Sequence, residues 1–79
     1  MEAKADIGLI GMAVMGQNLA LNMDDHGFTV AVWNRTVSRV DEFVNGNAKG
    51  TKIIGTHTLE ELAGVLKPPR IVMMMVQAG

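Results

Sequence analysis

Apolar residues come in short blocks along this chain, and each block is followed by a stretch with helical spacing. Ile7-Gly8-Leu9-Ile10 is the first block. Both of its faces are apolar, as expected of a parallel strand covered by helices on two sides. Gly11 to Gly16 turns the chain. A helix then runs to about His26, with Leu19, Ala20 and Met23 on one stripe. Gly27 holds the position just past the helix end, and His26 in the last turn suits the helix dipole. Phe28 to Trp33 reads as the second strand. Val37, Val40, Phe43 and Val44 have helical spacing, which predicts a second helix over 37–45, closed by Asn45-Gly46-Asn47. Lys52 to Gly55 is a short third strand. Thr58 and Glu61 fit a capping box, and Leu59, Leu62, Ala63 and Leu66 give the stripe of a third helix that Pro68 and Pro69 stop. Ile71 to Val76 is an unbroken apolar run and the strongest candidate for a buried strand.

The order is β-α-β-α-β-α-β. Right-handed crossovers turn it into a parallel sheet of order 3-2-1-4, the first half of a Rossmann-like, doubly wound α/β fold. With 79 residues, 48% of them apolar, the chain forms one small domain. The net charge of -1 and the lack of a basic cluster argue against nucleic-acid binding. There is no Cys, hence no disulfide or thiolate chemistry. The polar start, Met1 to Asp6, is unlike a signal peptide, and no apolar run approaches the length of a membrane span. A cytoplasmic protein is the expectation. The seven Met residues are expected to fill gaps in the core. Gln77-Ala78-Gly79 falls just past the fourth strand, whose apolar edge is left open. Residues 1–79 therefore read as a partial domain, the amino-terminal piece of a larger enzyme.

The candidate chemistry lies at two turns. In the G-x-G-x-x-G fingerprint the first Gly makes the turn, the second admits a pyrophosphate, and the third lets helix and strand pack closely. Those places hold Gly11, Ala13 and Gly16. The methyl of Ala13 sets the pyrophosphate slightly farther out, and N–H groups near Val14 and Met15 point at the phosphates from the helix start. Glycines that serve packing alone are the competing reading. At the tip of the second strand, where NAD-binding units place Asp or Glu for the ribose 2′-OH, stand Asn34, Arg35 and Thr36. A carboxylate would repel a 2′-phosphate, whereas a guanidinium binds it bidentately. NADP is therefore the expected cofactor. Met15 faces either the nicotinamide or the core. His26 and His57 read as surface residues, and Asp41, Glu42, Glu60 and Glu61 as solvated helix faces. No metal cluster, nucleophile triad or catalytic carboxylate pair is evident.

The run from Gly8 to Asn22, Gly27-Phe28, Asn34-Arg35-Thr36, Lys67-Pro68 with Arg70, and Val76-Gln77-Ala78-Gly79 together resemble the opening of the 6-phosphogluconate dehydrogenases. The resemblance covers essentially the whole chain. It implies NADP-dependent oxidative decarboxylation of 6-phosphogluconate to ribulose 5-phosphate and CO2 in the pentose phosphate pathway, by a homodimer. It also implies that Ala13, Val14 and Met15 line the pyrophosphate and nicotinamide side, and that Asn34, Arg35 and Thr36 hold the 2′-phosphate. Val76, Gln77 and Ala78 would run along the cofactor near the nicotinamide. Many members of the family carry Lys where this chain has Gln77. The catalytic Lys and Glu of the family, and its large helical domain, have no counterpart within these residues. Two alternatives are a related 3-hydroxyacid dehydrogenase, disfavoured by Gln17 to Asn22 and by Asn34-Arg35-Thr36, and a non-catalytic product that binds nucleotide or a partner strand.

Overall fold

Ile7–Ile10 forms β1, and the period-2 alternation of a strand sends its side chains into two different cores. In the computed structural model, which describes residues 4–75, Leu9 faces one core and Ile10 the other. The same division runs along β2 (Val30–Trp33): Val30 and Val32 point one way, Ala31 and Trp33 the other. The first core also takes residues of α1 (Val14–Asp25) and α2 (Val37–Asn45), with Ala20, Val40 and Phe43 buried there. The second core is filled by Leu62 and Val65 of α3 (Leu59–Val65), with Leu66 and Ala5. Helices thus cover both faces, as the apolar character of β1 and β2 requires.

β3 (Ile54–Gly55) and β4 (Val72–Met74) complete a four-stranded, wholly parallel sheet of order β3-β2-β1-β4. The chain has the expected α/β architecture. Several boundaries differ from the sequence reading for local reasons. β2 begins at Val30 rather than Phe28, because the end of α1 claims the intervening backbone. Gly27 N–H donates to the Asp24 carbonyl (3.0 Å) and Phe28 N–H to the Met23 carbonyl (3.1 Å), the two bonds of a Schellman motif. β3 is shortened at its start because Lys52 N–H donates to Asp24 Oδ1 and Ile53 N–H to Thr51 Oγ1, so neither enters the ladder.

α3 buries Leu62 and Val65, while Leu59 and Ala63 stay exposed. Its N-cap is as expected, Glu61 N–H donating to Thr58 Oγ1 at 2.9 Å. The helix ends at Val65, before the proline pair, and Leu66 adopts extended backbone to bridge Ala5. β4 is exposed throughout, contrary to the buried strand expected of Ile71 to Val76, of which Val76 lies outside the described residues: among the described residues β1 is its one partner strand. The methionines also depart from expectation. Met12 is fully buried, but Met15 and Met74 are more than half exposed.

Candidate functional site

β1, β2 and β4 finish level with one another: Ile10 stands opposite Trp33 on one side and Met74 on the other. Gly11, Asn34 and Met75 follow directly. The chain leaves β1 toward the β2 side, while β4 lies on the other flank, so Gly11 marks the point where the strand order reverses. In open parallel sheets, ligands bind in the crevice at that point.

Gly11 N–H donates to the Trp33 carbonyl (2.9 Å), and Met75 N–H donates to the Ile10 carbonyl (2.7 Å). Gly11 has φ 108°, a conformation L side chains rarely adopt. A Cβ there would also strike the Met75 carbonyl. The next residue anchors the turn. The Met12 side chain is fully buried in the first core. Its N–H donates to Asn34 Oδ1 at 2.8 Å, and its carbonyl accepts from Gln17 Nε2 at 2.8 Å.

α1 then starts without a cap of its own. Ala13 occupies the N-cap with φ -70° and ψ 173°, offers no side-chain acceptor, and no acid stands in the first turn. The first N–H groups of a helix have no intrahelical acceptor, and they carry the positive end of the macrodipole. This helix start is furnished with donors and supplies no anion to meet them. Val14 (73%) and Met15 (72%) are strongly exposed beside it, so Met15 does not pack in the core. Gly16 is buried beneath the turn, where a Cβ would collide with the Gly11 carbonyl oxygen.

At the tip of β2 the Asn34 amide is engaged at both ends, accepting from Met12 N–H and donating from Nδ2 to the Thr36 carbonyl at 3.0 Å. Arg35 is exposed and makes no ion pair or side-chain hydrogen bond among the described residues. Together with Ile10, Gly11, Trp33, Asn34, Leu59 and Met74 it borders a cleft of about 340 Å³. A larger hollow of about 500 Å³, at the amino-terminal edge of the sheet by Asp6, Met23, Phe28 and Ile71, contains no residue of the glycine turn or of Asn34-Arg35-Thr36. The structure therefore gathers Gly11, Asn34 and Arg35 at one cleft, with Ala13, Val14, Met15 and Gly16 following directly from its turn. Val76, Gln77 and Ala78 lie outside the described residues.

Sequence reasoning passed over Gln17 as a turn residue, and Trp33, Leu59 and Met74 as cleft residues. Gln17 carries no local signal, because its role depends on a carbonyl brought near by the turn. His57, read as a surface residue, is exposed but paired: its Nε2 lies 2.7 Å from Asp41 Oδ1, linking the loop before α3 to α2. That carboxylate raises the His57 pKa, first through the hydrogen bond and then through its charge. Among the described residues there is no cluster able to hold a metal ion, and no helix is long and apolar enough to cross a membrane.

Comparison with known proteins converges on one family. The model for the NAD binding domain of 6-phosphogluconate dehydrogenase matches residues 6–79. The chain is 65% identical, over its full 79 residues, to the decarboxylating 6-phosphogluconate dehydrogenase of Haemophilus influenzae. It is 58% identical over 77 residues to the human enzyme of the same name. It spans 16% of the length of each of these relatives. Among solved structures, Plasmodium falciparum 6-phosphogluconate dehydrogenase, determined in its apo form, with its cofactor NADP+ and with its substrate 6-phosphogluconate, matches with a TM-score of 0.81 at 47% identity. The match covers 94% of this chain and 16% of that one. With its sheet order, its glycine turn and nearly all of its length accounted for, the chain belongs to the family of NAD binding domains of 6-phosphogluconate dehydrogenase.

Proposed function

We propose that this chain holds NADP for a decarboxylating 6-phosphogluconate dehydrogenase. The observation that carries the choice of NADP is Arg35, an exposed guanidinium with no carboxylate partner among the described residues, at the tip of the strand beside the glycine turn. Asn34 and Thr36 flank it, and neither can repel a phosphate. In this reading Arg35 and Thr36 receive the 2′-phosphate, and the uncapped start of α1, from Ala13 to Gly16, receives the pyrophosphate. Val14 and Met15 keep water from that side of the ligand. The family resemblance assigns Val76, Gln77 and Ala78 to the same cofactor, on its nicotinamide side.

NADP, when bound, supplies the hydride acceptor for oxidation of the substrate alcohol. None of the residues gathered at the cleft is placed as a general acid or base, so this chain's part is to bind and orient. The proton transfers and the grip on 6-phosphogluconate belong to the larger remainder of a protein the length of its relatives, a homodimer working in the cytoplasm. Titration of the full-length protein with NADP and NAD, followed by an assay of NADPH and CO2 formation from 6-phosphogluconate, tests the reading. Tighter NADP binding with coupled CO2 release is expected. Preference for NAD, or reduction of cofactor without CO2, would overturn it.

A further inference from the structure

The bonds around Met12 assign Asn34 a role different from the one its place in the motif suggests. A neutral residue between the second strand and Arg35 invites the reading of a direct phosphate ligand. Yet Asn34 Oδ1 already accepts from Met12 N–H at 2.8 Å, and its Nδ2 already donates to the Thr36 carbonyl at 3.0 Å. The Met12 carbonyl is held from the other side by Gln17 Nε2 at 2.8 Å, and the Met12 side chain is wholly buried. We propose that Asn34 is a positioning residue: its amide ties the Arg35-Thr36 loop to the glycine turn, so that both ends of the dinucleotide site move as one unit.

The chemistry of the amide explains why this position suits Asn in an NADP site. An Asp would accept the Met12 N–H equally well. It could not donate to Thr36, and it would set a negative charge beside the 2′-phosphate. An Ala would free the Met12 N–H and let the turn shift under the pyrophosphate, which NADP and NAD share. The two substitutions therefore separate positioning from direct contact. The inference rests on the reading that the chain binds NADP, and the wild-type titration tests that reading by itself.

Three proteins are compared at full length: wild type, Asn34→Ala and Asn34→Asp. Dissociation constants for NADP and NAD are measured alongside amide hydrogen exchange of the ligand-free proteins. Asn34→Ala should weaken both cofactors: NAD about threefold to tenfold, for the lost bond to the glycine turn, and NADP at least as much, because the Arg35-Thr36 loop is freed as well. It should also speed exchange at Met12 while leaving Leu9 and Val32 protected. Asn34→Asp should keep Met12 protected and NAD affinity near wild type, and lose NADP selectively. If Asn34→Ala weakens NADP alone, Asn34 is a direct ligand of the 2′-phosphate and the proposal fails. It fails equally if Met12 exchange is unchanged in Asn34→Ala, or if Asn34→Asp frees Met12. Should Asn34→Ala not fold, Asn34→Ser, which also removes the amide, is read by the same two measurements.

Discussion

The carbonyl oxygen of Gly11 stands where a Cβ on Gly16 would have to be. The first and third glycines of the turn are thus one steric unit. The first bends the chain so that its carbonyl faces α1, and the third leaves room for it. Any side chain at residue 16 must lift α1 from the turn or distort the turn itself. Gly16→Val should destabilise the fold, on the order of 1–3 kcal/mol for an overpacked site, and weaken NADP as well. Urea denaturation of the purified variant reads the first effect and cofactor titration the second. An unchanged midpoint with normal affinity would show that the helix start yields freely.

Ala13 provides the contrast. It is exposed, and its φ of -70° and ψ of 173° are accessible to any residue. Ala13→Val should leave the denaturation midpoint near wild type and weaken NADP roughly threefold to tenfold, the effect of losing about one phosphate hydrogen bond. A variant that unfolds but still binds would reverse the roles assigned to residues 13 and 16.

Arg35 is exposed and makes no ion pair among the described residues, so its removal should leave the fold intact. Arg35→Ala should weaken NADP about tenfold to a hundredfold, the range for a charge-assisted hydrogen bond. NAD, which lacks the 2′-phosphate, should bind as before. Isothermal titration with the two cofactors distinguishes this outcome from an equal loss of both, which would remove Arg35 from the phosphate site.

The parts of this architecture that are legible in sequence are those governed by periodicity and local chemistry. The limits of β1 and α2, the Thr58 cap and the sheet order all follow from apolar spacing, turn residues and handedness. Phe28 looks like a strand residue because it is apolar and adjoins Thr29-Val30, but the helix end takes its N–H first. Leu59 satisfies the helical stripe by spacing, yet the stripe that is buried runs through Leu62, Val65 and Leu66. Composition suggested a buried β4, whereas exposure depends on what lies beside it. At the site, the glycines and Arg35 declare themselves by type and place. The Asn34–Met12 and Gln17–Met12 bonds do not, since each requires the folded turn to bring an amide to one particular peptide.

The His57–Asp41 pair makes stability respond to pH near neutrality. The Asp41 carboxylate raises the His57 pKa in the folded state above its ordinary value. A raised imidazole pKa contributes stability that is fully present below the unfolded value, about 6.5. The contribution is lost as pH rises through the folded value. Both side chains are 55% exposed, so the effect should be small and screened by salt. An NMR titration should find His57 titrating above the ordinary imidazole value, and Asp41→Asn should bring it down. A His57 pKa unmoved by Asp41→Asn would show that the pair does not persist in solution.

β4 presents the feature with the clearest consequence for solution behaviour. Val72, Met73 and Met74 are exposed at 41%, 37% and 65%, and among the described residues β4 pairs with β1 alone, at the rim of the sheet. Its outer backbone groups are available to another strand, and no charge or proline lies within it to discourage pairing. Neighbouring Ile71, 51% exposed, extends the apolar surface. The 79-residue chain by itself should therefore associate with rising concentration. Val72→Lys should oppose this by placing a charge on the edge, at a position outside the cleft that Arg35 borders. Sedimentation velocity across a concentration series should find species larger than a monomer for the wild-type chain and mainly monomer for Val72→Lys. A wild-type chain that stays monomeric throughout the series would show that exposure of this edge is not enough to drive strand pairing.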